Sequence, residues 1–321
     1  MKAIVQDRYG LPDVLHVADI DEPVAGADEV LVRVVAASAF IGDWHIVTGL
    51  PYAIRAVSGL RAPKNRVRGQ DFAGRVEAVG ERVTRFQAGD EVFGTCHGSF
   101  AEYATAREDK IARKPANLTF EQAATVPSTG TTALQGLRDV GKVQPGQKVL
   151  IIGAAGGVGS FAVQIAKAFG AHVTGVCSTA KVDLVRSIGA DDVIDYTRDD
   201  FAETGQRYDL ILDTAGNRSV SHLRRGLAPR GTLVIGGGEG GGRWFGVGRQ
   251  LRASMLSPFV SQKLGTFIAK QNGDDLLVLK GLIEAGKVTP VIGKKYPLSE
   301  VPDAIRYLEQ GHAQGKVVIT V

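Results

Sequence analysis

The fold of this chain is decided by the stretch Lys148-Val149-Leu150-Ile151-Ile152-Gly153-Ala154-Ala155-Gly156-Gly157-Val158-Gly159-Ser160. Its first five residues predict a buried β-strand, its glycines predict a tight turn, and residues 158–169 predict an amphipathic helix. This order is the context in which backbone N–H groups bind the pyrophosphate of a dinucleotide. The residues expected to contact such a cofactor are Ala155, Gly156, Gly157 and Val158.

The match to the dinucleotide pattern G-x-G-x-x-G is incomplete. In register its three positions are Ala154, Gly156 and Gly159, so the first glycine is replaced. Gly159 is expected to let the helix pack closely on the strand. No Gly-Lys-Ser/Thr follows, which excludes a Walker A loop. A glycine-rich turn that binds no ligand remains the alternative.

Outward from this stretch, predicted strands and helices alternate, at 148–152, 158–169, 172–177, 181–188, 193–194, 210–213, 219–227 and 232–235. Such alternation is typical of a parallel sheet with crossover helices. The first 120 residues instead read as short strands between Gly and Asp turns, which predicts a β-rich domain. Thr119 and Gln122 form a capping-box pattern where the character of the chain changes. Helices at 274–285 and 301–310 and a strand at 316–321 complete the prediction.

Composition narrows the class of protein. The 321 residues suggest about two domains. The net charge of +4 comes from scattered Lys and Arg with no run of five, which argues against nucleic acid as a partner. Two cysteines make a disulfide framework unlikely and favour a reducing compartment. No signal peptide and no membrane span are expected, so the predicted location is cytoplasmic.

The strand at 172–177 bears on the choice of cofactor. NAD-preferring folds usually place Asp or Glu at the end of this strand to hold the ribose 2′-hydroxyl. Here the strand ends at Ser178, Lys181 follows, and no carboxylate appears before Asp183. A hydroxyl and an ammonium suit a 2′-phosphate, and Tyr196 can pack beside the adenine. The sequence therefore predicts NADPH as the cofactor.

Taken together, the motifs resemble those of the zinc-independent quinone oxidoreductases of the medium-chain dehydrogenase/reductase superfamily. Within this family, the sequence looks like the subgroup that contains reticulon-interacting mitochondrial reductases and their bacterial relatives. The resemblance covers essentially the whole chain, and its motifs lie at residues 69–80, 86–94, 98–103, 131–134, 154–159, 188–191, 297–298 and 315–318.

This resemblance implies an α/β protein with a GroES-like catalytic domain and a Rossmann domain with a doubly wound parallel sheet. The catalytic domain would span 1–122 and be completed by 270–321, with 123–269 forming the NADPH domain and the active site lying in the cleft between them. Ser178, Lys181 and Tyr196 would form the 2′-phosphate site. The further cofactor-binding residues implied are Thr132, Gly236, Gly237 and Lys316.

Metal ligands are scarce in this sequence. Catalytic zinc needs three protein ligands, and structural zinc needs four closely spaced cysteines. Cys96 and Cys177 are far apart, and His97 directly follows Cys96, which is poor geometry for one ion. Where zinc enzymes carry Gly-His-Glu, this chain reads Arg68-Gly69-Gln70-Asp71. We therefore expect no metal.

The expected reaction is transfer of hydride to a quinone or similar conjugated carbonyl, which needs little acid–base chemistry from the protein. Asp43 and Tyr52 are the candidate catalytic residues, with a local cap and half-buried packing as their respective alternatives. The family stretch Ser-Val-Asn-Pro-x-Asp-Trp reads Ser38-Ala39-Phe40-Ile41-Gly42-Asp43-Trp44 here, so an aromatic ring replaces an amide.

Three functions stay open at this point: a quinone reductase, a reductase of α,β-unsaturated aldehydes or ketones, and a cofactor-binding protein that mainly binds RNA or a protein partner. The implied partner is a small quinone or enone, and a homodimer is possible.

Overall fold

The computed structural model describes residues 1–236, 248–311 and 313–321. It divides the chain into two compact units. Unit 1 comprises Met1–Thr131, Gln271–Glu284 and Pro290–Val321, and unit 2 comprises Thr132–Lys270 and Ala285–Thr289. The sequence interpretation placed these boundaries at 122/123 and 269/270.

The strands of the described residues are β1 (Lys2–Gln6), β2 (Leu15–Asp19), β3 (Glu29–Ala39), β4 (Asp71–Val79), β5 (Glu91–Thr95), β6 (Tyr103–Arg107), β7 (Ile111–Arg113), β8 (Lys148–Ile152), β9 (His172–Cys177), β10 (Asp192–Asp195), β11 (Tyr208–Asp213), β12 (Leu227–Ile235), β13 (Lys263–Thr266), β14 (Ile292–Pro297) and β15 (Lys316–Thr320).

The helices are α1 (Ile41–Thr48), α2 (Arg55–Ser58), α3 (Phe120–Ala124), α4 (Pro127–Gln135), α5 (Gly157–Ala168), α6 (Val182–Ser187), α7 (Val220–Gly226), α8 (Gly248–Leu256), α9 (Gly273–Glu284) and α10 (Val301–Glu309).

Unit 1 is built on a β-sheet with the order β14-β15-β3-β4-β5-β7, in which β6 also pairs with β3, and β1 and β2 form a separate pair. The C-terminal strand β15 lies antiparallel to β3, with Val318 opposite Ser38. Residues 301–321 thus return to the N-terminal sheet, and Val301, Ile305 and Ile319 share its buried core. This arrangement positions Lys316 beside residues that precede it by more than 200 positions.

Unit 2 contains a six-stranded sheet with the order β10-β9-β8-β11-β12-β13, and every neighbouring pair is parallel. Numbered from β8, this is the order 3-2-1-4-5-6 of the dinucleotide-binding Rossmann fold. The strand order reverses between β8 and β11, and ligands of such sheets bind at the carboxyl ends of the strands at that point. The predicted alternation of strands and helices from 148 to 235 is confirmed.

The prediction that the first 120 residues form strands is wrong at 41–48 and 55–58, which are helical. Helix α1 begins because the Asp43 carboxylate accepts the Phe40 N–H at 3.0 Å, and it ends at Gly49, whose φ of +63° is left-handed. The capping box at α3 is confirmed, since Gln122 N–H donates to the Thr119 hydroxyl at 3.2 Å and Thr119 N–H to the Gln122 side chain at 3.0 Å.

Candidate active site

The turn after β8 is shaped by Gly153. Its φ of +81° is left-handed, and its N–H donates to the carbonyl of Val176 at 3.2 Å. The N–H of Gly156 then donates to the carbonyl of Gly153 at 3.0 Å, which closes the turn. The tight turn expected at Ala154, the first position of the dinucleotide pattern, is therefore made one residue earlier, by Gly153.

Helix α5 starts directly on this turn. A Cβ at Gly159 would lie 2.0 Å from the carbonyl oxygen of Gly153, a backbone atom that cannot move away cheaply, so only glycine lets the helix approach the strand end. The first helical hydrogen bond runs from Ser160 N–H to the Gly156 carbonyl at 2.9 Å. The N–H groups at the start of the helix, residues 157–159, have no acceptor within it and carry its positive dipole end. This end can hold an anion.

The structure brings the three predicted 2′-phosphate residues together at the ends of β9 and β10. Lys181 N–H donates to the carbonyl of Ser178 at 2.9 Å, and Tyr196 N–H donates to the carbonyl of Cys177 at 3.0 Å. Ser178 and Tyr196 are therefore backbone neighbours although 17 intervening residues separate them in sequence. The group offers a hydroxyl, an ammonium and a half-exposed aromatic ring.

Sequence reasoning missed Asp195 in this region. Its carboxylate accepts the Thr179 hydroxyl at 2.5 Å and the Thr197 hydroxyl at 2.8 Å, and these bonds lower its pKa. A signal for Asp195 was available, namely its place at the end of a strand. That strand, β10, is parallel to β9, and Asp195 lies opposite Cys177. Both threonine hydroxyls are turned toward this carboxylate, which leaves Ser178 as the nearby hydroxyl for a phosphate.

Gly236 follows β12, and its N–H donates to the carbonyl of Asp213 at the end of β11, at 2.9 Å. It thus lies at the same carboxyl edge as Gly153. Thr132 lies in α4 at the start of unit 2. Gly237, also predicted to bind the cofactor, lies outside the described residues.

Unit 1 holds a buried charge cluster, defined here as Asp43, Arg68, Asp71 and Lys316. All four residues are at most 6% exposed. Lys316 Nζ lies 3.8 Å from an Asp71 oxygen and 5.4 Å from the centre of the Phe40 ring. Asp43 and Lys316 are predicted site residues, and the structure places both in this cluster. Arg68 and Asp71 belong to the stretch that stands where zinc enzymes carry Gly-His-Glu, and the sequence indicated no other role for them.

Asp71 is held by a further partner that the sequence did not reveal. Ser128 donates its hydroxyl to the Asp71 carboxylate at 2.5 Å and its backbone N–H at 3.2 Å. These hydrogen bonds and the nearby Lys316 ammonium favour the ionised carboxylate, while burial opposes it. The balance raises the pKa of Asp71 to about 6.

Asp43 is the more strongly perturbed carboxyl group of the cluster. Burial raises the pKa of Asp43 to about 7, although the hydrogen bond from Phe40 N–H acts in the opposite direction. Burial likewise lowers the pKa of Lys316, against the pull of the two carboxylates. The cluster can therefore gain or lose a proton near neutral pH.

This chain is similar to known proteins over essentially its whole length. An alcohol dehydrogenase GroES-like domain matches residues 26–116, and a zinc-binding dehydrogenase family matches residues 188–319. The chain is 36% identical to an NADPH-dependent alkenal/one oxidoreductase of Arabidopsis thaliana chloroplasts, over 99% of this chain and 79% of the relative. It is 34% identical to the mitochondrial NAD(P)H oxidoreductase RTN4IP1 of Bos taurus, over 100% and 89% of the two chains.

This chain belongs to the quinone oxidoreductase-like members of the medium-chain dehydrogenase/reductase superfamily. Among solved structures, the quinone oxidoreductase of Coxiella burnetii superposes with a TM-score of 0.88 at 30% identity, covering 100% of this chain and 99% of that one. The Escherichia coli quinone oxidoreductase complexed with NADPH gives 0.85 at 26% identity, covering both chains fully. The predicted family, the GroES-like and Rossmann fold, and the NAD(P)H-dependent oxidoreductase class are confirmed.

The second catalytic candidate of this reductase, Tyr52, belongs to a different group of side chains. The guanidinium of Arg55 lies 4.8 Å from the Tyr52 ring and 4.5 Å from the Tyr9 ring, so it is in contact with both. Tyr52 is 38% exposed, whereas Asp43 is buried. The alternative to a catalytic role for Asp43 was a local cap, and the hydrogen bond from Phe40 N–H to the Asp43 carboxylate is such a cap.

Within the described parts of this reductase, no three His, Cys, Asp or Glu side chains form a group that could hold a metal ion. The same residues contain no helix long and apolar enough to cross a membrane.

Proposed function

We propose that this protein binds NADPH at the turn between β8 and α5 and transfers hydride to a quinone or a conjugated carbonyl compound without a metal ion. The observation that carries the proposal is the glycine cradle. Gly153 makes the turn, Gly159 admits the helix, and the α5 N-terminus faces the point where the strand order of the sheet reverses. Such a site fits a pyrophosphate.

The residues proposed to hold the diphosphate half are Ala155, Gly156, Gly157 and Val158, and those proposed for the nicotinamide half are Thr132, Gly236 and Gly237. A reduced nicotinamide bound there supplies the hydride. With a proton from solvent or a side chain, an enone then becomes a saturated carbonyl and a quinone becomes a hydroquinone. Tyr52 is our candidate proton donor, since its half-exposed side chain can exchange protons with water.

Asp43 is proposed to act as a positioning residue. Its carboxylate fixes the start of α1, the helix that follows the Phe40 position where the family carries an amide. Lys316 was proposed as a cofactor ligand, and its burial against Asp71 favours a second role, in which its charge balances the two carboxylates. Both residues would then orient the substrate side of unit 1.

A zinc-free site is supported by the same cluster. The ammonium of Lys316 and the guanidinium of Arg68 lie among the carboxylates that could otherwise attract a divalent cation. Burial also raises the pKa of the Cys96 thiol, which disfavours the thiolate that binds zinc. These residues do not fit a zinc site of the kind found in the zinc-dependent relatives.

The test is oxidation of NADPH followed at 340 nm with a simple quinone, an alkenal, an enone and a saturated ketone as acceptors. We expect turnover with at least one conjugated acceptor and none with the saturated ketone, and an unchanged rate after treatment with EDTA. No turnover with any conjugated acceptor, or stoichiometric zinc by elemental analysis, would contradict the proposal. The similarity to the Arabidopsis relative named above makes alkenals and enones the second candidate class of acceptor beside quinones.

NADPH is proposed as the preferred form of the cofactor because Ser178 and Lys181 offer donors and positive charge. Lys181→Ala should weaken NADPH binding about 10- to 100-fold, the usual cost of losing a hydrogen bond to a charged group, and leave NADH nearly unchanged. Dissociation constants from fluorescence titration measure both. Lys148→Ala removes the same charge from the opposite end of β8 and should change neither constant. An equal loss for NADPH and NADH in Lys181→Ala would refute the 2′-phosphate assignment.

We also propose a homodimer. Leu251, Met255 and Phe259 are exposed and follow one another at four-residue spacing along α8 and the turn after it. Leu251 and Met255 lie on one side of α8, Phe259 lies in the turn after it, and exposed apolar side chains of this kind are typical of a protein interface.

A further inference from the structure

A buried carboxylate lies at the edge of the sheet that is expected to receive a negatively charged diphosphate. Asp213 is the last residue of β11 and lies opposite Ile152 of β8 and Ile235 of β12. Its side chain is fully buried. One carboxylate oxygen accepts the backbone N–H groups of Ala215 and Gly216 at 3.2 Å each. The other oxygen is paired with Nη2 of Arg249.

The phosphate turn lies next to this carboxylate. The N–H of Thr214 donates to the carbonyl of Ile152 at 3.1 Å, and a Cβ on Gly153 would lie 3.3 Å from the backbone nitrogen of Ala215. Asp213 and Gly153 thus lie on the two sides of the point where the strand order reverses. A diphosphate bound at the start of α5 would meet the field of a buried negative charge.

Arg249 supplies the opposite charge. It is the second residue of α8, and its side chain is largely buried. Its Nε and Nη1 atoms are inaccessible to solvent and have no hydrogen-bond partner among the described residues. A buried donor left without a partner is destabilising, so such a donor in a native protein calls for an explanation. A guanidinium also matches the geometry of phosphate oxygens.

We propose that Arg249 is a cofactor-binding residue whose remaining N–H donors contact the diphosphate of the dinucleotide, while Asp213 holds the guanidinium in position. The inference rests on the proposed function, because it assumes that a dinucleotide binds at the β8–α5 turn. It adds a charged ligand to a site otherwise made of backbone N–H groups. Loss of this ligand should affect NADPH and NADH alike, since both carry the diphosphate.

The first experiment compares dissociation constants of Arg249→Met and the intact protein by fluorescence or calorimetric titration. We expect NADPH and NADH to bind about 10- to 100-fold more weakly, the usual cost of losing a charge-assisted hydrogen bond. Adenosine 2′-monophosphate, which lacks the diphosphate, should bind with unchanged affinity. Arg252→Met removes an exposed arginine from the same helix and should leave all three ligands unaffected.

The second experiment separates contact from charge balance. In an Asp213→Asn background the carboxylate no longer needs neutralising, so this background also guards against misfolding of the single Arg249→Met variant. If Arg249 touches the diphosphate, Arg249→Met still weakens NADPH in that background. If the loss disappears there, or if adenosine 2′-monophosphate is weakened equally, the proposal is overturned. Failure of the proposed function would look different, since the intact protein would then bind neither NADPH nor NADH.

Discussion

Replacing Gly157 with valine should abolish binding of both NADPH and NADH. Gly157 is the first residue of α5, and its N–H group is one of those left free at the helix start. A branched side chain there would occupy the space of the phosphate oxygens and displace several charge-assisted hydrogen bonds. Each is worth about 1.5–3 kcal/mol, so the loss of two or more exceeds about 100-fold. Titration by fluorescence quenching measures the effect.

Gly281→Val is the matched control, because it puts the same side chain into a helix without a ligand. Gly281 is an exposed residue of α9, and a Cβ there meets no atom within 4 Å. Both variants replace a helical glycine with valine, so circular dichroism of the two compares their folding. A folded Gly157→Val protein that binds NADPH with unchanged affinity would place the cofactor elsewhere in the chain.

The Rossmann unit could be predicted because its signals are local. The strands β8, β9 and β11 are short, largely apolar runs, and each is followed by a segment with helical periodicity. Local signals also located Ser178, Lys181 and Tyr196, since each follows a predicted strand. They failed at Gly153, because the G-x-G-x-x-G register has no place for a left-handed residue one position earlier.

The buried charge cluster could not be predicted in this way. Asp43, Asp71 and Lys316 come from three segments separated by 27 and 244 intervening residues, and only the pairing of β15 with β3 brings the last one to the others. Nothing near Lys316 in sequence indicates burial of its charge, because lysine is ordinarily exposed. The edge strand β13 was missed for a related reason: its four residues, Lys263–Thr266, contain one strongly apolar side chain and no alternation.

The same cluster gives the second large effect, a pH dependence of stability. The pKa of Asp43 is raised from 3.8 to about 7 in the folded protein because burial disfavours the ionised form. A carboxyl with a raised pKa stabilises the fold fully below its unfolded pKa and loses that contribution as the pH rises through the folded value. For Asp43 the loss falls between about pH 4 and pH 7 and amounts to about 4 kcal/mol at most.

Asp43→Asn removes this titration but keeps an oxygen that can accept the Phe40 N–H. The free energy of unfolding of the variant should therefore fall less steeply between pH 4 and pH 8 than that of the intact protein, and at pH 8 the variant should be the more stable of the two. Urea unfolding at a series of pH values measures the difference.

Asp19→Asn is the control for this comparison, because it makes the same chemical change at an exposed aspartate of unit 1. Its pH profile should run parallel to that of the intact protein, since Asp43, Asp71 and Lys316 keep their surroundings in this variant. If Asp43→Asn also gave a parallel profile, Asp43 would be ionised in the fold at acidic pH. The Lys316 ammonium would then balance both carboxylates, and Asp43 would have no proton to exchange near neutral pH.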